Sequence, residues 1–440
     1  MEFERFKYPT LESLRADLAA RGLTLPLSDD LSALAKPHEV KGKKVHNRIV
    51  YQPMEGCDGT KAGSPDALTI RRYKRFAQGG PGIVWFEAVA ITQDGRANPR
   101  QLYLTEGNLD DFKQIVQDIK EDCFKANGFE PLIFMQATHS GRYSKPEGVP
   151  APILAYNNPI FEGDKPIDAS RIITDDRLKE LEIKMAESAA LAEKAGFDGV
   201  DIKACHRYLN CELLSAFTRA GAYGGDFDNR TRFFRNCQQA VTAAVSSEFI
   251  VTSRMNAYDG FEYPYGFGVT EGNGLTADWS EAVKLVSLLH GGGMDIINIT
   301  MGNPYVNPHV NRPYDQGGYV PPEHPLEGVA RMMGGIAAIQ AANPDVQVVS
   351  SGYSYLREYA ANLGAGMLEA DGCAYVGVGR INFAYPDFAR DAVRGVIDKK
   401  QNCLACGKCS QIMRAGSTPG CVVRDSEIYM PLYKEFCMNK

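Results

Sequence analysis

A lysine, a histidine and a tyrosine, Lys203, His206 and Tyr208, stand within six residues of one another. They follow a run in which Val200 and Ile202 alternate with Asp201 and Lys203, the pattern of a short strand entered through the turn at Gly196. All three side chains can donate hydrogen bonds, and at least two can be cationic near neutral pH. Such groups can polarise a carbonyl, stabilise developing negative charge and deliver a proton. Taken alone, Lys203 and His206 read as ordinary loop residues; the surrounding elements decide between the two readings.

Strand and helix patterns alternate from Asn47 onward. Strands are predicted at 47–53, 82–89, 131–137, 200–203, 249–256, 295–301, 347–351 and 372–378. Helices are predicted at 65–78, where Pro65 opens the helix, and at 109–127, 176–195, 229–247, 277–289, 326–342, 355–363 and 386–399. Eight strand–helix pairs in order predict an α/β fold, a (β/α)8 TIM barrel, in preference to a doubly wound open sheet. The expected organisation is an N-terminal extension at 1–45, a barrel at 46–400 and a C-terminal cysteine-cluster segment at 401–440. Within the extension, Leu11–Arg21 reads as a short helix and Pro37–Lys44 as a polar turn.

A barrel carries its functional groups at the C-terminal ends of its strands. Those ends hold Pro53, Met54, Glu55 and Cys57; Glu87 and Ala88; Gln136 and His139; Lys203, His206 and Tyr208; Arg254 and Asn256; Thr300 to Asn303; Ser351 and Gly352; and Gly377 to Arg380. Gly352 and Gly377-Val378-Gly379-Arg380 could form a phosphate cradle, because glycines bare their N–H groups to an anion and Arg380 adds charge. A lone Gly-x-Gly-Arg would equally be a tight turn.

The ordered set of short motifs resembles the old yellow enzyme family of FMN-dependent oxidoreductases. These are Asn47-Arg-Ile-Val-x-x-Pro53-Met54, Gln136-x-x-His139-x-Gly141-Arg142, Ala195-Gly-Phe-Asp-Gly-Val200, Tyr208-Leu209 with Glu212-Leu-Leu-Ser215, Tyr223-Gly-Gly225 with Asn229-Arg230, and Gly379-Arg380. The resemblance runs from about Leu34 to Asp391. It implies one non-covalent FMN at the barrel mouth, with Pro53, Met54, Glu55 and Ala88 along the flavin and Gln136 and Arg254 at the isoalloxazine. It further implies Ser351, Gly352, Gly379 and Arg380 at the phosphate. The family commonly has a His-x-x-His or His-x-x-Asn pair that binds the substrate carbonyl, then a proton-donating tyrosine; here these are Lys203, His206 and Tyr208. Lys203 departs from the commonest pattern, and Glu55 stands where several members have a Cys or Thr that tunes the flavin.

Cys403, Cys406, Cys409 and Cys421 form a Cys-x2-Cys-x2-Cys run with a fourth cysteine eleven residues on, whereas the other seven cysteines are scattered. This spacing suits a [4Fe–4S] cluster or zinc. The resemblance favours the cluster, because larger relatives similar to 2,4-dienoyl-CoA reductase, enoate reductase and trimethylamine dehydrogenase have such a motif after the barrel. Those relatives continue into nucleotide-binding domains; no Gly-x-Gly-x-x-Gly occurs here, so an electron-supplying module that is either missing or separate is expected.

The implied activity is hydride transfer from reduced FMN to an activated C=C bond, with the cluster relaying electrons. An amine dehydrogenase or demethylase and an electron-transfer flavoprotein subunit are the alternatives. The expected partners are a small unsaturated substrate and NAD(P)H or a donor protein, with self-association left open. The 440 residues carry a net charge of −6 with 44% hydrophobic and 23% charged residues, an ordinary soluble balance without the basic run that nucleic acid would need. No apolar stretch reaches the roughly 18 residues of a membrane span, and a cytoplasmic location is expected.

Overall fold

Strand residues alternate between two apolar environments, as a barrel wrapped in helices requires. Val50, Ile83, Trp85, Leu132, Phe134, Ile250, Ile296, Val349 and Tyr375 pack together in the barrel interior. Their neighbours Ile49, Tyr51, Val84, Phe86, Ile133 and Met135 belong to the larger core that includes the helices. The computed structural model describes residues 2–438. The strands are β1 Ile49–Tyr51, β2 Ile83–Ala90, β3 Leu132–Thr138, β4 Gly199–Ile202, β5 Ile250–Tyr258, β6 Ile296–Met301, β7 Gln347–Ser350 and β8 Tyr375–Val378. Each pairs in parallel with the next, and β8 pairs with β1 to close the (β/α)8 barrel.

The outer helices are α1 Ala67–Gln78, α2 Leu109–Asn127, α3 Asp175–Lys194, α4 Arg232–Ala244, α5 Ser280–Gly291, α6 Pro325–Ala342, α7 Ala360–Glu369 and α8 Phe388–Val393. In α2, Phe112, Ile115, Val116, Ile119 and Cys123 form a buried stripe at helical spacing, and Gly128 ends the helix in the left-handed region at φ 79°.

Five local expectations change. The 37–44 segment is a β-hairpin, His38–Val40 with Lys43–Val45, rather than a polar turn. Lys41 and Gly42 both take positive φ, as a two-residue primed turn needs, and Val40 and Val45 plug the N-terminal end of the barrel. Helix α1 starts at Ala67 under the Asp66 side chain, so Pro65 lies ahead of the cap. The 229–247 helix breaks at Thr231, and only Arg232–Ala244 continues as α4. Finally, a 3-10 turn at Tyr353–Tyr359 delays α7, and Gly395 at φ 71° follows the early end of α8.

Helix α1 fixes the loop after β1 through one arginine. Arg72 donates to Asp58 at 2.5 and 3.0 Å and to Glu87 at 2.5 Å, with all three side chains almost wholly buried. Thr69 also donates to Asp58, and Glu87 accepts the Gly56 N–H at 2.8 Å. The register shift at Glu87 places this carboxylate where a regular strand would not. A Cβ on Gly56 would fall 2.2 Å from the Arg72 guanidinium, so the loop passes too close for any side chain. On its outer side α1 presents Arg71 and Arg75 to Asp425, which ties the C-terminal segment to the same helix.

Removing Arg72 leaves two buried carboxylates facing each other. We expect Arg72→Met to destabilise the protein by about 3–5 kcal/mol. A lowered thermal midpoint checks this; an unchanged midpoint would show that the triad is not a structural anchor.

Candidate active site

The barrel mouth brings every sequence-expected flavin and substrate residue to one cavity. Pro53, Met54 and Glu55 follow β1, Ala88 lies in β2, and Gln136 lies in β3. Lys203, His206 and Tyr208 follow β4, and Arg254 lies in β5. Ser351 and Gly352 follow β7, and Gly379 and Arg380 follow β8. Sequence reasoning missed Tyr305, Asn311 and Arg312, which the loop after β6 adds to the same wall. No motif marks them; only barrel closure brings that loop over β4. His139 stays outside this cavity: its Nδ1 accepts the Gly141 N–H at 3.1 Å, and burial lowers its pKa to about 4.

The turn after β4 is strained and anchored. His206 and Arg207 are consecutive left-handed residues, at φ 64° and 61°, which costs about 1–3 kcal/mol each. The fully buried Arg207 guanidinium holds this turn through Asp259 at 2.8 Å, the Tyr156 hydroxyl at 3.2 Å and Ser215. Beneath it, Asp201 accepts hydrogen bonds from Trp85 Nε1 at 2.7 Å, Gln136 Nε2 at 2.6 Å and the Arg254 N–H at 2.7 Å. One carboxylate of β4 thus fixes both the Gln136 amide and the backbone that carries Arg254.

His206 Nε2 lies 3.3 Å from Arg254 Nη1 and 3.2 Å from Asn311 Nδ2, two groups that can only donate. Nε2 is therefore the acceptor and Nδ1 carries the proton. Burial, then Arg254, Lys203 and Arg380, hold the ring well below its ordinary pKa, so it is neutral at pH 7. The Lys203 ammonium lies 3.6 Å from the centre of the Tyr208 ring. Burial lowers its pKa, against the opposing pull of Cys205, Glu55 and Asp201. The Tyr208 hydroxyl donates to Glu55 Oε2 at 3.3 Å and lies 3.1 Å from the Tyr305 hydroxyl.

Two kinds of buried arginine meet at the mouth. Arg72, Arg142 and Arg207 are paired with carboxylates. Among the described residues, Lys203, Arg254, Arg312 and Arg380 make no carboxylate ion pair, although all four line the cavity. The Nε atoms of Arg254, Arg312 and Arg380 are buried without a partner. Burial and the nearby Arg380 and Arg414 lower the Arg312 guanidinium. An arginine does not shed its proton to relieve such crowding; an anion relieves it. The backbone beside these cations is bare: a Cβ at Gly377 would overlap Gln52, and one at Gly352, at φ 102°, would overlap Met332. Ser351 spends its hydroxyl proton on the Ile299 carbonyl, at 2.8 Å. Uncompensated cations, unpartnered N–H groups and glycine backbone fit a phosphate-bearing flavin.

The four clustered cysteines share a smaller neighbouring cavity, and Cys409 also lines the first. The N–H groups of Ala405 and Arg424 point at the sulfurs of Cys403 and Cys421, at 3.4 and 3.3 Å. Among the described residues, no group of three or more His, Cys, Asp or Glu side chains is drawn together as a metal-ligand set.

Comparison with known proteins agrees with the fold. The sequence profile of the NADH:flavin oxidoreductase / NADH oxidase family matches residues 33–315. The chain is 28% identical over 268 residues to an NADPH dehydrogenase of Clostridium acetobutylicum, covering 60% of this chain and 72% of that protein. It is 26% identical over 375 residues to an NADH oxidase of Thermoanaerobacter brockii, covering 82% of this chain and 51% of the relative. A structure of 2-naphthoyl-CoA reductase with 2-naphthoyl-CoA superposes with a TM-score of 0.73 at 17% identity, over 93% of this chain and 58% of the other. The chain thus spans a little over half the length of these last two proteins.

If the unpaired cations hold the flavin phosphate, Arg312→Met should weaken FMN binding about 10–100-fold, the worth of a hydrogen bond to a charged group. Fluorescence titration of the flavin-free protein measures this. Unchanged affinity would place the phosphate elsewhere.

Proposed function

Because the chain belongs to the NADH:flavin oxidoreductase / NADH oxidase family, and is thereby an FMN-dependent oxidoreductase, we propose that it reduces the activated C=C bond of an α,β-unsaturated carbonyl or carboxylate compound. Bound FMN, reduced by NAD(P)H or a separate donor protein, supplies the hydride for the β-carbon. The chain's own residues do the rest. Pro53, Met54 and Ala88 line the flavin, Gln136 and Arg254 serve its ring, and Gly352, Gly379, Arg312 and Arg380 hold its phosphate, with Ser351 contributing through its backbone. Lys203 and the Nδ1–H of His206 polarise the substrate carbonyl and stabilise the charge that develops on its oxygen. Tyr208 gives the α-carbon a proton.

The observation that carries this reading is the shared cavity: the three substrate-handling side chains face the same space as Arg254 and the glycine cradle. An amine-oxidising site would want free aromatic faces for a cation. Tyr143, Tyr208 and Tyr305 do cluster, but the Lys203 ammonium already covers the Tyr208 ring and would repel a second cation.

Cys403, Cys406, Cys409 and Cys421 are proposed to hold a [4Fe–4S] cluster, whose chemistry is one-electron transfer. Their common cavity and the two N–H groups aimed at sulfur support this. Burial and Cys409 push the Cys403 thiol up to about 12, so thiolates crowded there need a cation to hold them. In the same reading, residues 1–45 are an extension, 46–400 the flavin barrel and 401–440 the cluster segment.

Two outcomes check these assignments. Lys203→Ala and His206→Ala should each slow alkene-dependent reoxidation of the reduced flavin by roughly 10²–10³-fold while sparing flavin reduction. Stopped-flow of the two half-reactions separates them; wild-type reoxidation in both variants would remove the carbonyl clamp. Anaerobically purified protein should contain iron and acid-labile sulfide at four of each per chain. Stoichiometric zinc without sulfide would overturn the cluster.

A further inference from the structure

Tyr208 has a problem that its surroundings make acute. Once it gives up its proton, the tyrosinate is almost fully buried, with the residue 2% exposed, and must be reprotonated before the next turnover. Its hydroxyl contacts two groups, Tyr305 and Glu55. Tyr305 is a phenol of the same kind, and burial raises its pKa further, so it offers no downhill proton. A carboxylic acid does, because its ordinary pKa lies several units below that of a phenol.

Glu55 is placed to be refilled. It lines the flavin cavity and also an adjoining cavity of about 630 Å³ that opens beside Lys61, Asn98 and Lys145. Asn98 Nδ2 donates to Glu55 Oε1 at 3.4 Å, from the side opposite Tyr208. Resting on the reading of Tyr208 as the proton donor, we propose that Glu55 carries protons from the adjoining cavity to Tyr208.

In each turnover the β-carbon receives a hydride and the α-carbon receives the Tyr208 hydroxyl proton. Glu55 then gives its carboxyl proton to the phenolate oxygen, and the resulting carboxylate takes a proton from hydronium or buffer acid in the solvent of the adjoining cavity. The net change is one hydride and one proton added across the double bond. The charged and titratable groups facing Glu55 are Lys203, Lys145, Tyr208, Tyr305 and Cys57. Burial raises the Glu55 carboxyl above its ordinary range, against Lys203, the Tyr208 hydrogen bond and Lys145, and this favours the protonated form the relay needs. Glu55 acts through Tyr208 and touches neither reacting carbon.

The test separates the first turnover, when Tyr208 starts protonated, from the steady state. FMN-loaded full-length protein is reduced with dithionite and mixed anaerobically with 2-cyclohexen-1-one. In Glu55→Gln the steady-state rate with excess dithionite should fall about ten-fold or more beyond any change in the first-turnover rate. It should also acquire a larger solvent isotope effect. The wild-type steady-state rate should decline as pH rises through the elevated Glu55 pKa, and Glu55→Gln should lack that limb. In Glu55→Ala, added acetate should restore steady-state turnover in proportion to its acid form, a rescue that loss of packing alone would not show. Equal effects on first-turnover and steady-state rates, an unchanged pH limb or absent acetate rescue would each overturn the relay. The underlying reading fails differently: first-turnover protonation at the wild-type rate in Tyr208→Phe would remove Tyr208 as the donor, whatever Glu55 does.

Discussion

The barrel mouth holds cations that the protein itself does not neutralise. Elsewhere in the same region, buried guanidiniums are spent on structure: Arg72 on Asp58 and Glu87, Arg142 on Glu162 and Glu212, Arg207 on Asp259. Lys203, Arg254, Arg312 and Arg380 face the cavity with no carboxylate within ion-pair distance among the described residues. Leaving charges desolvated and unpaired costs several kcal/mol, which binding an anion recovers. Burial, reinforced by Arg254, Lys203 and Arg380, keeps His206 neutral, and burial lowers Lys203. In the proposed reading, both the hold on the flavin phosphate and the exclusion of a cationic substrate draw on these unpaired cations.

That imbalance is tolerable because the surrounding backbone is held rigidly. Helix α1 faces two ways. Arg72 pins the loop that carries Met54 and Glu55, and Arg71 and Arg75 grip Asp425 of the cysteine segment. One helix thereby ties together the loop after β1 and the segment that follows Cys421. On the opposite wall, Arg207 holds the left-handed turn that brings His206 and Tyr208 to the cavity, and Asp201 fixes Gln136 and Arg254 from below. The strain stored at His206 and Arg207 is the conformational requirement for three chemistry-bearing residues to emerge so close together.

Most of this was accessible from sequence where the signal is local. The helix at 109–127 is bounded as expected, because an apolar stripe at helical spacing meets a glycine able to take positive φ. Strand ends are legible because strands buried on both faces leave unbroken apolar runs, and Pro53, Gln136, Arg254 and Arg380, read from those ends, line the cavity. The hairpin at 38–45 escaped because Lys41-Gly42 lacks the Asn-Gly or Asp-Gly that usually marks a primed turn. Arg312 and Asp201 escaped for a different reason: their roles depend on partners far along the chain, and no spacing encodes such a pairing. Glu55 is marked in the sequence as a flavin-side residue that departs from the family pattern, but not as a partner of Tyr208, which lies 153 positions away and meets it only across the closed barrel.

The central claim is that a reduced flavin in this cavity gives its hydride to an electron-poor alkene. Its most direct test is anaerobic reoxidation of the dithionite-reduced wild-type protein, followed at the flavin absorbance, by a panel of enones and enoates. The account expects at least one of them to restore the oxidised flavin spectrum and to yield the saturated product. A flavin that stays reduced before every alkene, while trimethylamine or another amine reduces the oxidised form, would contradict it and assign the cavity to amine oxidation.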